Sequence, residues 1–259
     1  MRLPSFATIR ITLLLAFLLV AGLVSAHQHV YTRNWNQTLN VTVFPLNADG
    51  YLATDRYIRR LSDGSFASIN SWGEREAKRH DLALAVPFDV KLGEQIKKLP
   101  PAFPDNPNTV DVVLWGLRFR WWAFRNTPDD NQGVNRVRMF VMFQEGEDNK
   151  PLAHSLGMQK GLMGLVYAYA QPSQTAQNNV VIAHELLHTV GAIDKYENYG
   201  NPAFPFGYAN PDRRPLYPQR VAEIMAGRIP TSQYTSYMAE SLRSVVINDY
   251  TASDINWIE

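Results

Sequence analysis

The sequence predicts an α+β fold for residues 27–259, on three observations. Apolar and polar residues alternate from Leu39, as on a half-buried strand. Apolar residues recur at helical spacing between Asp55 and His80, and again from Val180 to Val190. A tail rich in proline and aromatic residues follows that second helix. The pattern describes an α/β-like N-terminal part with a sheet and helices, then a small C-terminal part that is mostly irregular and helical. With 259 residues, 46% of them hydrophobic, the chain suffices for one well-cored domain.

The elements follow in order. Residues 1–26 read as a signal peptide or an N-terminal membrane anchor. Arg2 and Arg10 precede an apolar run from Ile11 to Val24, and Val24-Ser25-Ala26 offers small residues for cleavage. The run is shorter than the twenty or so residues that a membrane span needs. Leu39–Leu46 is the first strand, and Asn47–Gly50 a turn. Asp55–His80 forms one long helix or two shorter ones, interrupted at Gly64 and Gly73. Leu82–Leu92 is a second strand, which Pro87 assigns to an edge or a bend. After the prolines of Leu99–Asn108, Val110–Phe124 reads as a strand whose Trp115, Trp121 and Trp122 fill core. Val137–Phe143 is a further strand, and Gly161–Ala170 a buried one. Ala153–Gly157, with His154, is a candidate edge. Thr235–Ile247 reads as a closing helix, with Met238, Leu242, Val245 and Val246 on one side, and Thr251-x-x-Asp254 opens a last short one.

The chemistry concentrates in Ala183-His184-Glu185-Leu186-Leu187-His188-Thr189-Val190-Gly191-Ala192-Ile193-Asp194. Positions four apart share a helix face, so His184 and His188 project two imidazoles toward one point, as two ligands of one metal ion do. Glu185 sits where it can reach a water at that metal without being a ligand. Gly191 ends the helix, because glycine enters the left-handed cap conformation at no steric cost. Asp194 then arrives as a third ligand. A carboxylate just past a helix C-terminus faces the negative end of the dipole, so a positive partner is required, either Lys195 or a divalent cation.

His184-Glu185-x-x-His188-x-x-Gly191-x-x-Asp194 resembles the metzincin zinc-peptidase motif in the variant where Asp replaces the third His. Within that clan it is most similar to the snapalysin-type peptidases, which place a Tyr two residues after the Asp, as Tyr196 stands here. Ala222–Gly227 is similar to the family's Met-turn, with Met225 in the Met position. The likeness runs from Val180 to Gly227. The chain departs from the small snapalysins in a longer stretch between Asp194 and Met225 and in having no cysteine.

The resemblance implies a twisted mixed sheet with a long backing helix and an active-site helix, and a cleft between residues 27–191 and 192–259. It implies one catalytic Zn2+ held by His184, His188 and Asp194. Glu185 would be the general base and acid, Tyr196 a support for the developing oxyanion, and Met225 an apolar floor. Phe204, Phe206, Tyr208 and Tyr217 would line a specificity pocket or else pack a proline-rich crossover. The expected activity is hydrolysis of peptide bonds in a peptide or protein substrate. The alternatives are a zinc hydrolase acting on a non-protein or cell-wall amide, and a non-catalytic relative that binds metal or peptide.

Composition narrows this further. A formal net charge of +1 without a basic stripe gives no footprint for nucleic acid. Zero cysteines exclude disulfides, thiolate zinc sites and a cysteine switch. His27–Thr38 is too short for a folded pro-domain, so latency would need a separate inhibitor. The expected location is exported, in the bacterial periplasm or outside the cell, with residues 9–26 as an anchor to the inner membrane if they are retained.

Overall fold

The computed structural model describes residues 6–128, 136–146, 155–158, 162–197 and 200–258. Its centre is a sheet of β1 (Leu39–Asn47), β2 (Phe88–Leu92), β3 (Arg136–Gln144), β4 (Leu156–Met158) and β5 (Met163–Tyr169). The strand order is β2-β1-β3-β5-β4. The first four are parallel, and β4 runs antiparallel to β5 at the edge. The mixed sheet and the helices flanking it make the fold α+β, as expected.

Strand side chains alternate between two buried faces, as parallel strands covered on both sides require. Val41, Val43, Val137, Met139, Val141 and Val166 face one core, with α3 (Ala67–Arg79) and α5 (Thr175–Thr189). Phe44, Leu46, Phe140, Met142 and Leu165 face the other, under α4 (Thr109–Asn126). The expected helical region of Asp55–His80 is two helices, α2 (Leu52–Ile58) and α3, separated by a 3-10 turn at Asp63–Ser65 that contains Gly64. Gly73 does not break α3. It lets the helix approach β2, where a Cβ would come within 2.6 Å of the Phe88 ring.

Val110–Phe124 is helix, not strand. Asn108 accepts hydrogen bonds from the Val110 and Asp111 amides, and Asp111 accepts one from the Asn108 amide, so a reciprocal cap starts α4. The strand propensity of its valines and aromatics yields to that cap and to packing, because Trp115, Phe119 and Trp122 line up at helical spacing against the sheet. Trp121 fills no core and is exposed.

Thr235–Ile247 is likewise not a helix. Ser236–Met238 (β8) pairs antiparallel with Arg228–Pro230 (β7), and Leu242–Ser244 is a 3-10 turn. Val245–Val246 (β9) pairs parallel with Ala222–Glu223 (β6). The β-branched Val pair satisfies the backbone leading into the Met-turn, which a helix there would leave open. The last helix, α6 (Asp249–Asp254), is capped by Asn248, whose side chain accepts from the Thr251 amide, so Asp254 ends that helix. The edge strand begins at Leu156; Ala153 and His154 lie outside the described residues.

Helix α1 (Phe6–Arg33) continues through the expected cleavage point at Ala26. Beyond it, the Trp35 indole donates to the Ile255 carbonyl at 2.6 Å and packs edge-on against Trp257, tying the start of the domain to its end. Among the described residues, no helix is long and apolar enough to cross a membrane.

Candidate functional site

The site is built on the last two turns of α5. Ala183, Leu186, Leu187 and Val190 are fully buried, which holds the helix rigidly on the sheet and turns His184 and His188 outward. Gly191, at φ +114°, stops the helix, and the Ala192 amide returns to the Leu187 carbonyl at 3.1 Å. Asp194 therefore comes back over the two rings. Its Oδ1 lies 3.2 Å from His184 Nε2 and 3.1 Å from His188 Nε2, and the two Nε2 atoms are 3.1 Å apart.

The other ring nitrogens explain this convergence. His184 Nδ1 is 2.9 Å from the Ile224 carbonyl, and His188 Nδ1 is 2.8 Å from the Ala192 carbonyl. A carbonyl only accepts, so each Nδ1 carries the proton, and a neutral ring then presents its Nε2 lone pair to the site. Two lone pairs and a carboxylate oxygen converge on one point. That arrangement repels itself unless a proton or a cation occupies the centre.

The electrostatics agree. Burial works against a charged His184, but the hydrogen bond to Asp194, the charge of Glu185 and the Ile224 carbonyl together raise its pKa. Burial also works to raise Asp194, yet the two rings hold its carboxyl far below the usual range. Among the described residues, Asp194 pairs with these two rings and with no lysine or arginine. Lys195 does not compensate it: the Lys195 ammonium is turned away, 2.5 Å from Asp254.

Glu185 lies beside both rings, its side-chain oxygens close enough to join them around one ion. Asp194 Oδ1 lies within 3.2 Å of both Nε2 atoms, so both carboxylates stand beside the ring pair. Burial raises the Glu185 pKa, and its Oε2 is buried without a hydrogen-bond partner. The Tyr196 hydroxyl reaches Asp194; burial first, then the Asp194 charge, pushes the phenol up to about 12. Met225 is fully buried in the core that holds α5.

Three contributors carried little signal in the sequence. Gly157 on β4 passes so close to α5 that a Cβ there would lie 2.4 Å from His188 Cβ and 3.0 Å from Glu185 Oε2. Its backbone works to lower the Glu185 pKa, against the larger effect of burial. Lys195 holds the Asp194 loop: its amide donates to the Met225 carbonyl at 3.1 Å, its carbonyl accepts from the Ala203 amide at 2.8 Å, and its side chain pairs with Asp254. Glu223 is buried and accepts from the Met225 and Ala226 amides at 2.6 and 3.0 Å and from the Thr251 hydroxyl at 2.6 Å, which fixes the Met-turn. Each works through a long-range contact that no local spacing encodes.

The aromatic run divides. Phe204 and Phe206 are exposed, whereas Tyr208 is buried, with its hydroxyl 2.8 Å from that of Tyr217. Gly207 allows the crossover to press on the ligand loop, since a Cβ there would collide with the Lys195 carbonyl.

Comparisons with protein-family models and with curated proteins find no match. Among solved structures, this chain is similar to one chain of "Structure of a chaperone-substrate complex", with 14% identity over 85% of this chain and a TM-score of 0.38. It spans about a third of that chain's length, 33%.

Proposed function

We propose that this chain is a zinc-dependent metallopeptidase of metzincin-like design. The observation that carries the reading is the triangle of His184 Nε2, His188 Nε2 and Asp194 Oδ1, with edges of 3.1 to 3.2 Å. A tetrahedral ion with nitrogen and oxygen ligands at about 2.0–2.1 Å needs ligand–ligand edges of about 3.3 Å, so this donor set fits zinc. The carbonyls behind each Nδ1 are the outer partners that fix imidazoles as ligands. Zinc held there would lower the pKa of a water and polarise the scissile carbonyl.

The chain's own residues supply the rest. Glu185, raised by burial and with Oε2 unpartnered, takes the proton of the attacking water and delivers it to the leaving amine. Tyr196 keeps its proton to about pH 12 and stands beside Asp194 as a donor to the oxyanion. Among the described residues β4 pairs with β5 on one side only and lies against the site, so its outer edge offers backbone groups to an extended peptide. The α1 segment fits an exported protein, as a signal or an anchor.

Glu185→Ala tests the assignment. The variant should keep one zinc per chain and lose peptide hydrolysis by about 10²- to 10⁴-fold. Full activity in the variant, or stoichiometric zinc without cleavage of a diverse peptide library by the native chain, would refute it.

A further inference from the structure

Helix α4 covers the sheet with Trp115, Phe119, Trp122 and Ala123, and it is apolar on its outer side as well. Val110, Val113, Leu114, Leu117, Trp121 and Phe124 are 45 to 71% exposed. Their positions fall on one face of a 3.6-residue period, so they form a continuous stripe about 21 Å long on the 18-residue helix. Single exposed apolar residues are ordinary, but a stripe of six large ones marks an interaction surface.

Charge indicates what covers it. Arg118 and Arg125, seven residues apart, lie along one border of the stripe; both are exposed, with no carboxylate partner among the described residues. The Arg125 guanidinium sits 5.9 Å over the Trp121 ring. The single acid of the helix, Asp111, is engaged in the N-terminal cap. An apolar face with Trp and Phe, bordered by arginine and free of acids, is the composition of a helix lying in the plane of an anionic membrane surface. A second copy of the chain would cover the apolar side chains but bring from the helix only Asp111, which its own N-terminal cap already engages, to Arg118 and Arg125. A further apolar segment stands on the same chain, since α1 exposes Leu13, Leu14, Leu15, Leu19 and Leu23. Stable attachment to a membrane usually takes two such signals.

We propose that the outer face of α4 docks on a membrane surface rich in anionic phospholipid. Trp121 and Phe124 enter the boundary of the acyl chains, and Arg118 and Arg125 meet lipid phosphates. Helix α5 packs on the opposite face of the sheet, so docking leaves the His184–His188 site on the layer away from the bilayer.

The chain has no cysteine, so a nitroxide can be attached at single positions in the full-length protein. Leu117→Cys and Trp121→Cys report on the stripe, and Tyr234→Cys, at a residue 78% exposed, is the control. On vesicles of phosphatidylcholine with phosphatidylglycerol, labels at 117 and 121 should gain access to oxygen and lose access to a water-soluble nickel chelate. The label at 234 should remain open to nickel, and pure phosphatidylcholine should give no burial at 117 or 121. Adding Arg118→Gln and Arg125→Gln should shift the balance of docked to undocked α4 by about thirtyfold. The proposal is overturned if the protein does not bind the anionic vesicles. It is equally overturned if 117 and 121 stay accessible to nickel on bound protein, or if the labels broaden each other without lipid, which would seat a second copy on the stripe.

Discussion

The two histidines stand on a helix buried by aliphatic side chains, whereas Asp194 stands on a loop held by charge and hydrogen bonds. Each fully buried leucine under α5 contributes about 1.5–3 kcal/mol of non-directional stabilisation, so the rings keep their place as long as the core is packed. The loop has no comparable core. It depends on Gly191 for its turn, on the Lys195–Asp254 pair and on the backbone tie to Met225. The helix half of the site is therefore coupled to global stability, and the loop half to a few polar partners whose loss moves Asp194 first.

This contrast can be broken from either side. The largest effect belongs to the core: Leu187→Ala should cost about 2–5 kcal/mol of unfolding free energy in a denaturant titration, yet leave the zinc affinity of the folded fraction nearly unchanged. The Met-turn gives the next effect. Burial, outweighing Thr251, Lys195 and the Met225 amide, pushes the Glu223 carboxyl up to about 7 from 4.5. Between those values the unfolded chain has released the proton and the folded chain still holds it, so stability falls as pH rises from 4.5 to 7. The upper limit is about 3–4 kcal/mol. Glu223→Gln should flatten that slope in melts across the window; an unchanged slope would show that the carboxyl is already ionised in the folded state. The smallest of the three effects on free energy sharpens the comparison most. Asp254→Asn should weaken zinc binding about 10- to 100-fold, measured by chelator competition, with the helical content of the chain retained. A variant that binds zinc as tightly as the native chain would show that the ligand loop needs no such clamp.

The sequence made the helix half legible because its information is local. The His184–His188 spacing, the apolar residues around it and the Gly191 stop all lie within one short stretch, and β1, β3 and β5 were visible from alternation or buried runs for the same reason. The loop half was legible only at Asp194. Its supports, Asp254 and Glu223, are distant in the chain, and Lys195, one of the two partners open to Asp194 in the sequence, serves Asp254 instead. The misread elements share that cause. Val110–Phe124 has strand-like composition, but a cap at Asn108 and aromatic packing on the sheet make it α4. Thr235–Ile247 has helical spacing, but backbone pairing beside the Met-turn draws it into short strands. Packing on the sheet and pairing of short strands outweighed local composition, helped in α4 by a cap that is itself local.

The most direct test of the central claim is X-ray absorption at the zinc edge on the full chain loaded with one equivalent of zinc, compared with Asp194→Asn. The account predicts a four-coordinate shell of two imidazole nitrogens and oxygen donors in the native chain, and a measurably altered, weaker site in the variant. A shell without two imidazoles, or one identical in the two proteins, would contradict it.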